Sequence, residues 1–139
     1  MGIAGRRRGG TTAQVVLEMA VRVLVVDDEQ MILRAVSWML EHEGGYEVLP
    51  ANGPRQALEI IKNNPPVHLV VSDIEMPEMK GTQLIRAVAQ LSPQTASLLM
   101  TGHINPVDVP DGVPVLKKPF SKQVLLSAVQ AVLARQPNC

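Results

Sequence analysis

The chain has 139 residues, 46% of them apolar, and thirteen basic residues balance thirteen acidic ones. That length and apolar content suit one packed domain and exclude a disordered chain, and the even charge excludes a strongly basic nucleic-acid surface. The lone cysteine, Cys139, can form no internal disulfide, so a reducing cytoplasm is the expected compartment; no apolar run approaches the ~20 residues that span a bilayer. The N-terminus also lacks a signal peptide's order of charge, apolar stretch and cleavage site.

Residues 1–20 carry Gly and the basic run Arg6, Arg7 and Arg8, and are expected to form a flexible leader ahead of a domain over 21–136. Val21–Val26 is a β-branched run that ends in Asp27–Asp28. A helix is predicted over Gln30–Glu43, with Ile32, Ala35, Val36, Met39 and Leu40 on its inner side, and Gly44–Gly45 stops it. Tyr46–Ala51 is a second strand, Asn52–Gly53 a turn, and Pro54–Lys62 a helix with proline in its first turn. Val67–Ser72 is a third strand, ending at Asp73. Thr82–Leu91 reads as a helix facing inward through Leu84, Ala87, Val88 and Leu91. Ala96–Met100 is a fourth strand, ending at Thr101, and Val113–Leu116 a fifth, ending at Lys117–Lys118–Pro119. Ser121 caps a final helix reaching about Arg135, with Val124, Leu125, Ala128 and Val132 inward. The aromatic residues are Trp38, Tyr46 and Phe120 alone, so the core is aliphatic.

Strands alternating with helices predict a doubly wound α/β fold: a five-stranded parallel sheet, flavodoxin-like in strand order 2-1-3-4-5, covered on both faces. Pro106, Pro110 and Pro114 crowd the stretch between the fourth and fifth strands, so the helix there is expected to be short or absent. Four strand ends carry polar groups suited to chemistry: Asp27–Asp28, Asp73, Thr101 and Lys118. In an open parallel sheet these ends share one edge, where ligands bind. Two carboxylates ~4 Å apart repel by about 4 kcal/mol at an effective dielectric near 20, so such a rim calls for a cation. Oxygen donors on an open rim suit Mg²⁺, with Mn²⁺ as a substitute. Lys118 adds a positive charge and Thr101 a hydroxyl donor, a set able to hold a phosphoryl group.

The segments VLVVDDE (Val23–Glu29), VSDIEMPEMKG (Val71–Gly81), LMTG (Leu99–Gly102) and LKKPF (Leu116–Phe120) resemble the response-regulator receiver family of two-component signalling, in the family's order and at its strand ends. The resemblance spans about Val21 to Arg135. It implies that Asp73 accepts a phosphoryl group from a sensor histidine kinase or histidine phosphotransfer protein. It further implies that Asp28, Asp73 and the Glu75 backbone carbonyl bind Mg²⁺ directly, and that Asp27 acts through a metal-bound water. Thr101 would hydrogen-bond the phosphoryl oxygen, and Lys118, rather than Lys117, would pair with Asp73. The Lys118–Pro119 bond is expected to be cis, and Gly81 to serve a tight turn. Glu75 and His103, two residues beyond Asp73 and Thr101, occupy positions that tune phosphoryl lifetime.

One departure stands out: Val115 occupies the place where the family usually carries Tyr or Phe. Together with the proline-rich stretch 102–114, this points to output through another surface, such as the first or last helix. With four residues after Arg135, output is expected to be onto a downstream protein or by onward phosphotransfer, with no nucleic-acid or membrane partner, and without conventional enzymatic turnover. The alternatives are a pseudo-receiver binding module, a small phosphatase of the haloacid dehalogenase type, for which Glu75 stands where a second Asp is usual, and, remotely, a flavodoxin. His42, His68 and the methionines at 31, 39, 76, 79 and 100 are read as surface or packing residues.

Overall fold

A computed structural model describes residues 20–63, 66–103, 105–106 and 108–135; the expected leader therefore lies almost wholly outside the described residues. Five strands form one sheet: β1 Arg22–Val26, β2 Glu47–Ala51, β3 Leu69–Asp73, β4 Ala96–Thr101 and β5 Val115–Lys117. All neighbours are parallel, in the order β2-β1-β3-β4-β5. Four helices cover it: α1 Gln30–Trp38, α2 Pro54–Asn63, α3 Gly81–Leu91 and α4 Lys122–Ala134.

Strand alternation splits the core in two. Val23, Val25, Leu69, Val71, Leu98 and Met100 face one side and pack with Leu33 and Val36 of α1, Leu40 just beyond it, and Leu125, Val129 and Val132 of α4. Leu24, Val26, Val70 and Leu99 face the other, with Ala57 and Ile61 of α2 and Leu84, Ile85 and Val88 of α3. Because β1, β3 and β4 are covered on both faces, they are apolar almost throughout.

Three helices bury a stripe slightly rotated from the one expected. Leu33, rather than Ala35, faces the sheet in α1; Ile85 replaces Leu91 in α3; Val129 and Leu133 replace Val124 in α4. These helices carry more apolar residues than one stripe needs, so periodicity alone fits two registers. The surplus has a use at α1, where Ile32 and Ala35, with Met39 just beyond the helix, line an apolar groove against Pro119 and Phe120. Met31, expected to pack, is 84% exposed. The chain beyond Trp38 continues as a π-helical turn, Met39–Glu43, in which Gly44 N–H reaches back to Met39 O; Gly45, at φ +74°, then turns the chain into β2.

No helix lies between β4 and β5 among the described residues, as the prolines predict. Val109 and Val113 pack on the second core in its place, and Arg86 of α3 donates to Asp108 O at 2.7 Å, pinning the loop. Val115 is half-buried against the same core. The sheet's free edge at β2 is marked by Pro50. Glu47 N–H donates to Val21 O and Ala51 O accepts from Asp27 N–H, so residues 47, 49 and 51 bond inward to β1 while Val48 and Pro50 turn their amide positions outward. No helix of the described residues is long and apolar enough to cross a membrane.

Candidate functional site

The site lies along the carboxyl edge of the sheet. Four of the five strands run out of apolar residues there and deliver a polar one: Asp27 after β1, Asp73 at the end of β3, Thr101 at the end of β4, Lys118 after β5. Asp27 is fully buried and Asp73 is 3% exposed. Lys118 places its ammonium 3.2 Å from Asp27 Oδ2, 3.3 Å from Asp73 Oδ1 and 3.8 Å from Glu29 Oε1. It donates a hydrogen bond to Asp27. Asp73 Oδ1 is buried, and the Lys118 ammonium is its ion-pair partner. The backbone amide of Lys118 bonds Thr101 O at 2.7 Å, and the Lys118–Pro119 bond is cis, as expected.

The electrostatics follow from burial. Loss of water pushes the Asp73 carboxyl up to about 6, the charge of Asp27 pushes the same way, and Lys118 offsets only part. Burial also raises Asp27, against the Glu29 amide and Lys118. For Lys118 itself burial opposes the charge, but Asp27 and Asp73 outweigh it and hold the ammonium above its ordinary value.

Carboxylate oxygens of Asp27, Glu29 and Asp73 lie within 4.8 Å of one another. Glu29 was missed in the sequence as a site residue, although it is the third acid of the same run. Asp28 does not join this trio: it is exposed and lines a shallow depression with Asn52, Pro54, Pro77 and Glu78. Asp28 caps no helix either; Glu29 precedes α1, and its amide donates to Asp27 Oδ1 at 2.9 Å. On the neighbouring strand end Thr101 Oγ1 donates to Glu75, 3.0 Å from Oε2 and 3.2 Å from Oε1, and accepts from His103 N–H at 3.0 Å. His103 Nε2 stands 4.0 Å from Glu75 Oε2. Thus Asp27, Asp73 and Lys118 form one group, and Thr101, Glu75 and His103 a second beside it. His42 and His68 have structural partners, His42 stacked on Trp38 and His68 Nδ1 accepting from the Arg22 amide.

Gly81 holds the loop that follows Asp73. Its amide donates to Ile74 O at 2.8 Å, and a Cβ at this position would lie 2.2 Å from Asp73 O. That oxygen belongs to the backbone and cannot yield without moving Asp73. We expect Gly81→Ala to cost about 1–3 kcal/mol in urea unfolding, the range for overpacking. A loss below about 0.5 kcal/mol, the level of an ordinary surface substitution, would show that the loop yields freely.

This arrangement, acids around an ammonium at the end of a 2-1-3-4-5 parallel sheet, defines a class, and comparison with known proteins agrees. The chain belongs to the response regulator receiver domain family, whose model matches residues 23–130. It is 31% identical to the response regulator receiver protein CpdR of Brucella abortus over 117 residues, 81% of this chain and 96% of that one. It is 32% identical over 136 residues to a probable transcriptional regulatory protein of Picosynechococcus, 90% of this chain but 54% of that one. The chain thus spans about half the length of that regulator, and 26% of the Escherichia coli transcriptional regulatory protein GlrR. Among solved structures, the CheY-like receiver domain protein of Methanospirillum hungatei superposes with a TM-score of 0.77 at 29% identity, covering 86% of this chain and 98% of that one.

Proposed function

We propose that residues 21–136 form a phosphoacceptor domain in which Asp73 takes a phosphoryl group from a phosphohistidine on a sensor histidine kinase or histidine phosphotransfer protein. The observation that carries this reading is the Asp73 carboxylate, buried at the strand end and 3.3 Å from the Lys118 ammonium. With its pKa raised to about 6 by burial and by Asp27, it is ionised at neutral pH but destabilised as a charge, a reactive oxygen nucleophile. In the transfer an Asp73 oxygen bonds to phosphorus, the phosphorus–nitrogen bond breaks, and the imidazole leaves with the electron pair and takes a proton from solvent. Lys118 stays beside the growing negative charge, and the Thr101 hydroxyl is the donor for a phosphoryl oxygen.

The donor set fits a hard divalent cation. Three carboxylates converge, two of them buried, around a single ammonium. Asp27, Glu29 and Asp73 would hold Mg²⁺ or Mn²⁺, with Asp28 and the Glu75 carbonyl as the further donors the family resemblance adds. When bound, the ion supplies neutralising charge for the phosphoryl oxygens.

The groove of Ile32, Ala35, Met39, Pro119 and Phe120 is continuous with Lys118 and supports docking of an apolar helix face carrying the phosphohistidine. Output passes to a downstream protein in the cytoplasm, and the chain is a phosphoacceptor rather than a turnover enzyme. Incubation with acetyl phosphate and Mg²⁺, followed by intact mass, tests the reading. We expect one added phosphoryl group on the parent and none on Asp73→Asn; label that persists on the variant means another residue is the acceptor.

A further inference from the structure

We infer that Glu75 is a built-in competitor for the phosphoryl group, holding in the resting protein the one hydroxyl proton that the phosphoryl group needs. This rests on the phosphoacceptor reading of Asp73. Thr101 has a single O–H donor. Here it is shared between both oxygens of the Glu75 carboxylate, at 3.0 and 3.2 Å. The orientation is not free, because His103 N–H donates to Thr101 Oγ1 at 3.0 Å and occupies its acceptor side. The hydroxyl therefore points at a carboxylate before any phosphoryl group arrives.

A carboxylate is a fair stand-in for a phosphoryl group, having two anionic oxygens with the same appetite for donors. Thr101 Oγ1 cannot serve both fully, so acceptance of the phosphoryl group on Asp73 requires Glu75 to let go. The side chain is built to do so. Its side chain is about one-third exposed (32%), so the carboxylate can turn to water, and His103 Nε2 stands 4.0 Å from it. Thr101 itself is 1% exposed at the end of β4, so it has no water to take the place of a lost partner. Glu75 acts as a positioning residue through Thr101; it forms no bond to phosphorus.

The test uses the full chain. With acetyl phosphate and Mg²⁺, Glu75→Ala is expected to label about fivefold faster than the parent, the effect of removing one competing hydrogen bond of typical net strength. In a Thr101→Val background the same substitution should gain clearly less, because only relief of charge repulsion is left. Equal gains in the two backgrounds would overturn the proposal and leave Glu75 a bystander charge. A second readout needs neither metal nor phosphoryl group: in the metal-free resting protein, Glu75→Ala should shift the His103 backbone amide resonance, while Glu75→Gln, which keeps an acceptor, shifts it less. An amide unmoved by Glu75→Ala overturns the resting contact. If the parent takes no label at all, the phosphoacceptor reading fails and the competition with it, whereas failure of the competition alone leaves the parent labelled.

Discussion

Asp73→Asn should be more stable than the parent at pH 7.5 in metal-free buffer, by about 1–2 kcal/mol in urea unfolding, even though it cannot accept a phosphoryl group. The folded chain holds Asp73 near 6, above the ordinary carboxylate value of 3.8, because burial and Asp27 both disfavour its charge. The folded state therefore binds that proton more tightly than the unfolded state, and stability falls as pH rises from about 3.8 to 6. Above that window the full penalty is present, at most about 3 kcal/mol for a shift of some two pH units. The neutral amide escapes it, but Lys118 loses one of its partners, which takes back part of the gain. Below pH 4 the parent carboxyl is protonated in both states, and the two proteins should converge. A variant no more stable than the parent at pH 7.5 would show that the notch tolerates its charge.

Lys118→Met should have the opposite sign and a larger size. The side chain is 16% exposed and its ammonium stands within 3.3 Å of both Asp27 and Asp73. Its removal leaves two buried carboxylates facing each other with no counter-ion between them, a loss of about 3 kcal/mol or more at pH 7.5. Both acids already sit above their ordinary values, so the variant drives them further up and should recover most of its loss as pH falls below 5. Adding Mg²⁺ at neutral pH should also rescue the variant more than the parent. A loss that is the same at pH 4 and pH 7.5 would assign Lys118 to packing through its methylene stem rather than to charge.

The sequence made the sheet legible because four strands end in residues that break an apolar run, and those breaks mark both the strand ends and the site. Asp27, Asp73, Thr101 and Lys118 were readable for that reason. Which face of each helix meets the sheet was less so: α1 and the turn after it carry apolar residues at 31, 32, 33, 35, 36, 39 and 40, enough for the sheet and for a second groove, and periodicity cannot rank them. Two features of the site needed coordinates. The placing of Glu29 rather than Asp28 beside Asp73 depends on how the chain leaves β1, where the Glu29 amide folds back onto Asp27. The Glu75–Thr101 bond joins residues 26 apart through side-chain orientation alone, which no spacing rule encodes. The stretch 102–114 was legible from its prolines, but the pin from Arg86 to Asp108 was not, since its acceptor is a backbone carbonyl.

Pro50 carries a consequence for how copies of the chain can meet. Of the two residues of β2 that present amide positions to solvent, Val48 and Pro50, only the valine owns an N–H. A sixth strand from another molecule would find a broken ladder there, so fibre-like stacking through this margin is blocked where it would otherwise begin. Self-association, where it happens, is directed away from this margin.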